Sequence, residues 1–147
     1  MASREIKDLS PAMQVLYNKF VDRCRRDLWL LKQGVSVILT CTYRDDAEQA
    51  RLYAQGRTAP GRIVTNAKPG KSKHNATTPQ GRPAAEAFDV ALLLNGKLVW
   101  VDDPATPDNE MLLWERVGEH GGVVGLKWYG APGAAFPEKP HFQNPDA

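Results

Sequence analysis

The segment AAEAFDVALLL, residues 84–94, followed by Asn95-Gly96 and then KLVWV, restricts this chain more than any other stretch. Two apolar runs joined by Asn-Gly predict a β-hairpin, because that dipeptide adopts the left-handed turn whose twist matches the flanking strands. Alternation along the first run puts Phe88, Val90 and Leu92 on one face. Ala85, Ala87, Asp89 and Ala91 fall on the other. Asp89 therefore shares its face with side chains too small to fill space. An acid in mid-strand is intrinsically unfavourable. It is either a surface charge among alanines or a group projecting into a cleft where something compensates it.

The rest of the chain supplies helices to cover such a hairpin. Ser10-Pro11 predicts a helix start, with serine as N-cap and proline at the first helical position. Met13, Leu16, Phe20, Cys24 and Leu28 follow as one apolar stripe. VSVILTC, residues 35–41, reads as a short buried strand. YRDDAEQARLYAQG reads as a second helix, opened by a capping box of Asp45 and Glu48 and stopped at Gly56. A third helix is expected from about Asp108 to His120, with His120 complementing the dipole at its C-terminal end. The tail carries short strand pieces broken by Gly and Pro. The expected fold class is α+β: a single small domain over residues 1–147, its helices packed on a mainly antiparallel sheet.

Composition excludes several classes. A net charge of +2 makes no case for a nucleic-acid partner. No apolar run is long enough to span a bilayer, so no stable membrane insertion is expected. The N-terminus, MASREIKDLSPAM, lacks an apolar signal region, which leads to an expectation of synthesis in a cytoplasm. Cys24 and Cys41 lie in apolar contexts and are expected as buried free thiols.

Candidate chemistry concentrates on the histidines, of which the chain has 3. His74 lies in the long Gly/Pro-rich connection from 57 to 84, where neither core packing nor a helix face accounts for it. His141 lies in EKPHFQ, before a short terminal strand. With His120 assigned to its helix end, His74, Asp89 and His141 remain. Two imidazoles and one carboxylate form the ligand set of a catalytic zinc site whose fourth position is open to water. Their wide separation in sequence leaves that set a candidate. Glu138, three residues before His141 and flanked by Pro137 and Pro140, sits outside any ordinary helix. In a rigid turn it is either a carboxylate that takes a proton from water or a surface partner of Lys139.

Other motifs fail. PGKS lacks the upstream glycine of a phosphate loop, since position 65 is threonine. Asn75-Ala76-Thr77 matches a glycosylation sequon without a secretory signal and is read as chance. Ser72-Lys73 lacks the spacing of a serine acyl-enzyme. A cysteine nucleophile would require Cys41, which sits in a strand expected to be buried.

Taken together, SKH, AFDV and PEKPHFQ resemble the Ser-x-His, Ala-x-Asp and Glu/Asp-x-x-His motifs of zinc D-alanyl-D-alanine carboxypeptidases and dipeptidases. Within that group the chain looks most like phage endolysins that are L-alanyl-D-glutamate peptidases. TYRDDAEQARLYAQGRT and AKPGKSKHN carry the likeness further, so that it covers most of the chain from Thr42 onward. The resemblance implies a zinc cofactor held by His74, Asp89 and His141, with Glu138 as general base and Arg44 facing the developing oxyanion. It also implies substrate contacts from Ser72 and Gln49 and a peptidoglycan stem peptide as partner. A monomer is expected, and with one domain read from the sequence no separate wall-binding domain is expected. An endolysin of this type would be made in the host cytoplasm and reach the wall after the membrane is permeabilised. The chain departs from the pattern in NATTPQGRP, residues 75–83, which is expected to fold over the cleft and offer polar groups to the peptide. KWYGAPGAAF also departs from the commoner Trp-Gly-Gly form, and Glu138 stands where close endolysins often have Asp.

Overall fold

The computed structural model describes residues 1–99, 110–130 and 138–145. Its helices are α1 (Pro11–Arg26), α2 (Leu28–Gln33), α3 (Asp46–Ala54) and α4 (Glu110–Val124). The strands are β1 (Val35–Cys41), β2 (Ala87–Leu94), β3 (Lys97–Leu98), β4 (Lys127–Trp128) and β5 (His141–Gln143). They form one antiparallel sheet in the order β1-β2-β5-β4, with β3 also paired to β2. The α+β expectation holds. None of these helices is long and apolar enough to cross a membrane.

The hairpin forms where the sequence predicts it, with Asn95 and Gly96 both at positive φ (50° and 84°). Its second strand is short, and Trp100 and Val101 of the expected run lie outside the described residues, as do Asp108 and Pro137. Phe88, Val90 and Leu92 are buried on the core face of β2. Phe88 stacks on its cross-strand partner Phe142 at 5.5 Å, while Tyr17 of α1 meets Phe88 edge-on at 5.1 Å. Phe20 sits 4.8 Å from Phe142. Truncating an aromatic in such a cluster typically costs about 3–5 kcal/mol, so these rings pin the register of β2 against β5.

Two helix boundaries differ from expectation. Ser10 caps α1 as predicted, its Oγ accepting from the Met13 amide at 3.2 Å. The helix stops at Arg26, however, because Asp27 leaves helical geometry and caps α2, accepting from the amides of Trp29 and Leu30. Leu28 thus drops out of the predicted stripe and is 70% exposed, and Tyr17 and Val21 complete the buried face instead.

The second difference is at α4, which runs on past His120 to Val124. The Gly121-Gly122 pair reads as a stop, yet a Cβ at Gly121 would lie 2.5 Å from the Phe142 ring, and one at Gly118 would overlap Trp128. These glycines let the helix lie directly on β4 and β5, at some cost in helix propensity. His120 is therefore interior to the helix and does not serve its end. Its Nε2 lies 2.6 Å from Oδ2 of Asp27, which also accepts from Arg116 Nε at 2.6 Å.

Candidate metal centre and cleft

Asp89 and His141 are brought together by strand register. They are Cα partners in the β2–β5 ladder, one position along from the Phe88–Phe142 pair. Side chains alternate across a strand, so burying the two phenylalanines on one face throws Asp89 and His141 onto the other. On the far side of β2, a bulge in β1 between Leu39 and Cys41 falls opposite Asp89. Bulges re-aim side chains and gather beside functional sites.

His74 arrives on a separate scaffold. Lys73–Asn75 form a single 3-10 turn, capped at Ser72, whose Oγ accepts from the His74 amide at 3.2 Å. Asn75 locks this turn: its Oδ1 accepts from the amides of Gly70 and Ser72, and its Nδ2 donates to the Arg44 carbonyl at 2.7 Å. The Arg44 amide in turn donates to the His74 carbonyl at 2.9 Å. Far from lying open in a polar loop, the His74 side chain is 2% exposed.

The donor atoms converge on one carboxylate oxygen. His74 Nε2 and His141 Nδ1 each lie 3.2 Å from Asp89 Oδ1. The other ring nitrogens are held from behind. His74 Nδ1 donates to the Thr42 carbonyl at 2.7 Å, and His141 Nε2 donates to Gln143 Oε1 at 2.9 Å. This is how metal-binding imidazoles are oriented, one nitrogen bonded to the protein and the other aimed inward. Donors about 2.0–2.1 Å from a tetrahedral zinc lie about 3.3 Å apart, and both separations agree with that spacing. The set fits zinc in chemistry and in these two edges.

A more compact trio exists among the described residues: Cys41, His74 and Asp89, whose donor atoms all lie within 4.8 Å of one another. Sequence reading left Cys41 out of the metal set. Its Sγ stands 3.9 Å from His74 Nδ1, the nitrogen committed to Thr42, and Arg44 Nη2 approaches the sulfur at 3.5 Å. Sulfur and metal-facing nitrogen are thus on different edges of the ring. Cys41 stands on the Thr42 side of the His74 ring, and His141 on the Asp89 side.

Electrostatics match this packing. Burial opposes a charge on His74, but the Asp89 carboxylate beside it outweighs burial and raises its pKa well above the ordinary imidazole range. Burial likewise works against charge on Asp89, yet His74 and His141 hold its carboxyl well below the ordinary carboxylate range.

The centre opens into a cleft of about 740 Å³ lined by Arg44, Lys71, Tyr129, Glu138 and His141 among others. Glu138 enters it from a tight turn, its carbonyl accepting from the His141 amide at 3.0 Å and its own amide donating to Tyr129. Burial raises the Glu138 pKa, the neighbouring His141 works against this, and Asp89 adds to it. Arg44 lies across the centre, with Nη2 3.5 Å from Asp89 Oδ2 and Nη1 donating to Gln49 Oε1 at 2.9 Å.

Gln49 and Ser72 take different positions. Gln49 is fully buried and holds Arg44 on one side and the Ala67 carbonyl, at 2.8 Å, on the other, so it positions the cleft wall. Ser72 lines the cleft as a substrate contact would; its Oγ accepts from the His74 amide, and its O–H remains able to donate. The 75–83 stretch closes on itself, through Thr78–Arg82 bonds and a Thr77–Pro83 bridge, and contributes nothing to the cleft lining. The wall comes from 64–68 and 71–73 instead. Arg57 pins it by donating to the Thr65 carbonyl and Asn66 Oδ1, each at 3.0 Å. Sequence reasoning missed Asn75, Arg57 and Tyr129, whose ring meets His141 edge-on at 4.9 Å. The Asn75 sequon was the one available signal, and it pointed to a different chemistry.

No family model matches the chain. It is 33% identical over 112 residues to the peptidoglycan L-alanyl-D-glutamate endopeptidase CwlK of Bacillus subtilis (strain 168), an alignment covering 76% of this chain. The chain spans 62% of the length of that relative. Among solved structures it is similar to the LdcB LD-carboxypeptidase, with a TM-score of 0.58, 16% identity, and 97% and 70% of the two chains covered. The vancomycin resistance D,D-pentapeptidase VanY, crystallised with Zn(II), gives 0.53 at 15% identity, with 92% and 72% covered. VanYB in complex with D-alanine-D-alanine gives 0.55 at 14%, with 98% and 76% covered. The chain is therefore homologous to CwlK over the aligned part and has the fold of the VanY and LdcB structures.

Proposed function

We propose that this chain is a zinc-dependent peptidoglycan peptidase that cleaves the stem peptide between L-alanine and D-glutamate, acting as a phage endolysin. The observation that carries it is the convergence of His74 and His141 on Asp89 within a cleft that also receives Glu138. The choice of bond rests on the likeness to CwlK. Made in the cytoplasm, the protein would meet its substrate once the membrane is breached.

His74, Asp89 and His141 would hold the zinc, which supplies a Lewis acid for the scissile carbonyl and lowers the pKa of water. Glu138, a carboxyl of raised pKa beside His141, takes the proton of the attacking water and returns it to the leaving amine. Arg44 stands across the centre as a permanent cation that offsets charge building on the carbonyl oxygen. Thr42 and Gln143 keep the imidazoles turned inward throughout.

The fold shared with VanY and LdcB favours a second reading, removal of a terminal residue from the stem peptide. Mass spectrometry of digested sacculi separates the two, with and without a chelator. Endopeptidase action leaves L-alanine on the glycan and exposes the amino group of D-glutamate. Free D-alanine with an intact mesh would establish the carboxypeptidase instead, and no chelator-sensitive product would end both readings.

A further inference from the structure

Lys68-Pro69-Gly70-Lys71 is a tight turn, closed by a 2.9 Å bond from the Lys71 amide to the Lys68 carbonyl, with Gly70 at φ 77°. Proline followed by a positive-φ glycine is the type II arrangement, which brings the first and fourth Cα atoms within about 7 Å. The two lysines thus start from neighbouring Cα positions, and both line the cleft. Neither has an acidic partner among the described residues. The turn is also fixed relative to the centre, because Asn75 Oδ1 accepts from the Gly70 amide while the next residue back in the chain is His74. Like charges held together repel, and that cost is relieved when an anion lies between them.

We propose that Lys68 and Lys71 form a carboxylate subsite that reads the free α-carboxylate of the γ-linked D-glutamate in the stem peptide. This rests on the endopeptidase reading above and adds a specificity-determining pair to it. In a γ-linked glutamate the α-carboxylate is on the carbon bonded to the scissile nitrogen, so a substrate seated at the centre must carry it along the cleft wall. Stem peptides in which that carboxylate is amidated lose the charge and keep the scissile bond. The pair therefore discriminates between the acid and the amide form.

The test uses the zinc-loaded full chain with two peptides, L-Ala-γ-D-Glu-L-Lys and its D-isoglutamine counterpart. The wild type is expected to favour the acid by about five- to tenfold in kcat/KM, mainly through KM, and to lose that preference as salt rises. In Lys68→Gln/Lys71→Gln the acid-to-amide ratio should fall to near one, and Lys68→Arg/Lys71→Arg should restore it. A ratio unchanged in the glutamine pair overturns the subsite, as does an equal loss on both peptides. If the wild type cleaves neither peptide at the L-alanyl bond, the endopeptidase reading fails and takes the subsite with it. A wild type that cleaves both without preference overturns the subsite alone.

Discussion

Asp89 and His141 face each other across the β2–β5 ladder, and a single oxygen of Asp89 lies 3.2 Å from both His141 Nδ1 and His74 Nε2. The pairing is a consequence of packing on the other side of the sheet. Phe88 and Phe142 are neighbours in the same ladder and are both fully buried, so the polar pair is displayed wherever the aromatic pair is buried. A one-residue slip would bury the carboxylate and expose the rings.

Glu138→Gln keeps the shape of the side chain and removes its ability to take a proton. Turnover should fall by about 10² to 10⁴, while zinc content stays unchanged. A near-normal rate in single-turnover assays would remove Glu138 from the chemistry.

Gln49→Ala should act at a distance. Gln49 touches both Arg44 and the Ala67 carbonyl from a buried position, so its loss leaves Arg44 Nη1 and the 65–67 wall without their common support. Leaving buried polar groups unpaired costs about 1–3 kcal/mol. The urea midpoint should drop and kcat should fall with zinc retained. A variant with wild-type kcat and midpoint would show that Arg44 holds its place without this support.

The side chain of Asp27 is 2% exposed, with Arg116 and His120 bonded to it, and Arg116 above all holds its carboxyl well below the ordinary range. A depressed carboxyl contributes stability that is fully present above its unfolded pKa, about 3.9. That stability is lost as pH falls through the lower folded value. Denaturation midpoints should therefore decline steadily below about pH 4, and Asp27→Asn should be less stable at neutral pH with a flatter acid limb. Parallel curves for the two proteins would deny Asp27 this role. His120→Ala should lower stability without affecting zinc.

Much of this architecture was legible in the sequence, and the pattern of success is physical. Asp89 stood out because strand periodicity assigns it to a face of alanines, and His74 and His141 because no element explained them. Boundaries set by tertiary contact were not legible. Nothing local says that Gly121 continues a helix, since its purpose is the approach of Phe142, and nothing local says that Asp27 ends α1 to receive Arg116 and His120. The structural roles of Gln49 and Asn75 have the same origin: Gln49 reaches Ala67, 18 residues on, and Asn75 reaches Arg44, 31 residues back. The 75–83 stretch, expected over the cleft, folds back on itself, while Arg57 and Gln49 fasten the preceding stretch in place as the wall.

Gly121→Ala tests the contact that seats β5. The added methyl would meet the Phe142 ring, and overpacking of this kind costs about 1–3 kcal/mol. Because Phe142 adjoins His141, zinc affinity should fall together with stability. Unaltered stability would mean that α4 does not pack on β5 as described.

The ligand set itself is tested most directly by the zinc content of purified variants. Wild type and Cys41→Ala should each carry one zinc per chain by elemental analysis, whereas His74→Ala and His141→Ala should carry essentially none. Full occupancy in His141→Ala, together with loss in Cys41→Ala, would contradict the account and move the metal to the cysteine side of His74.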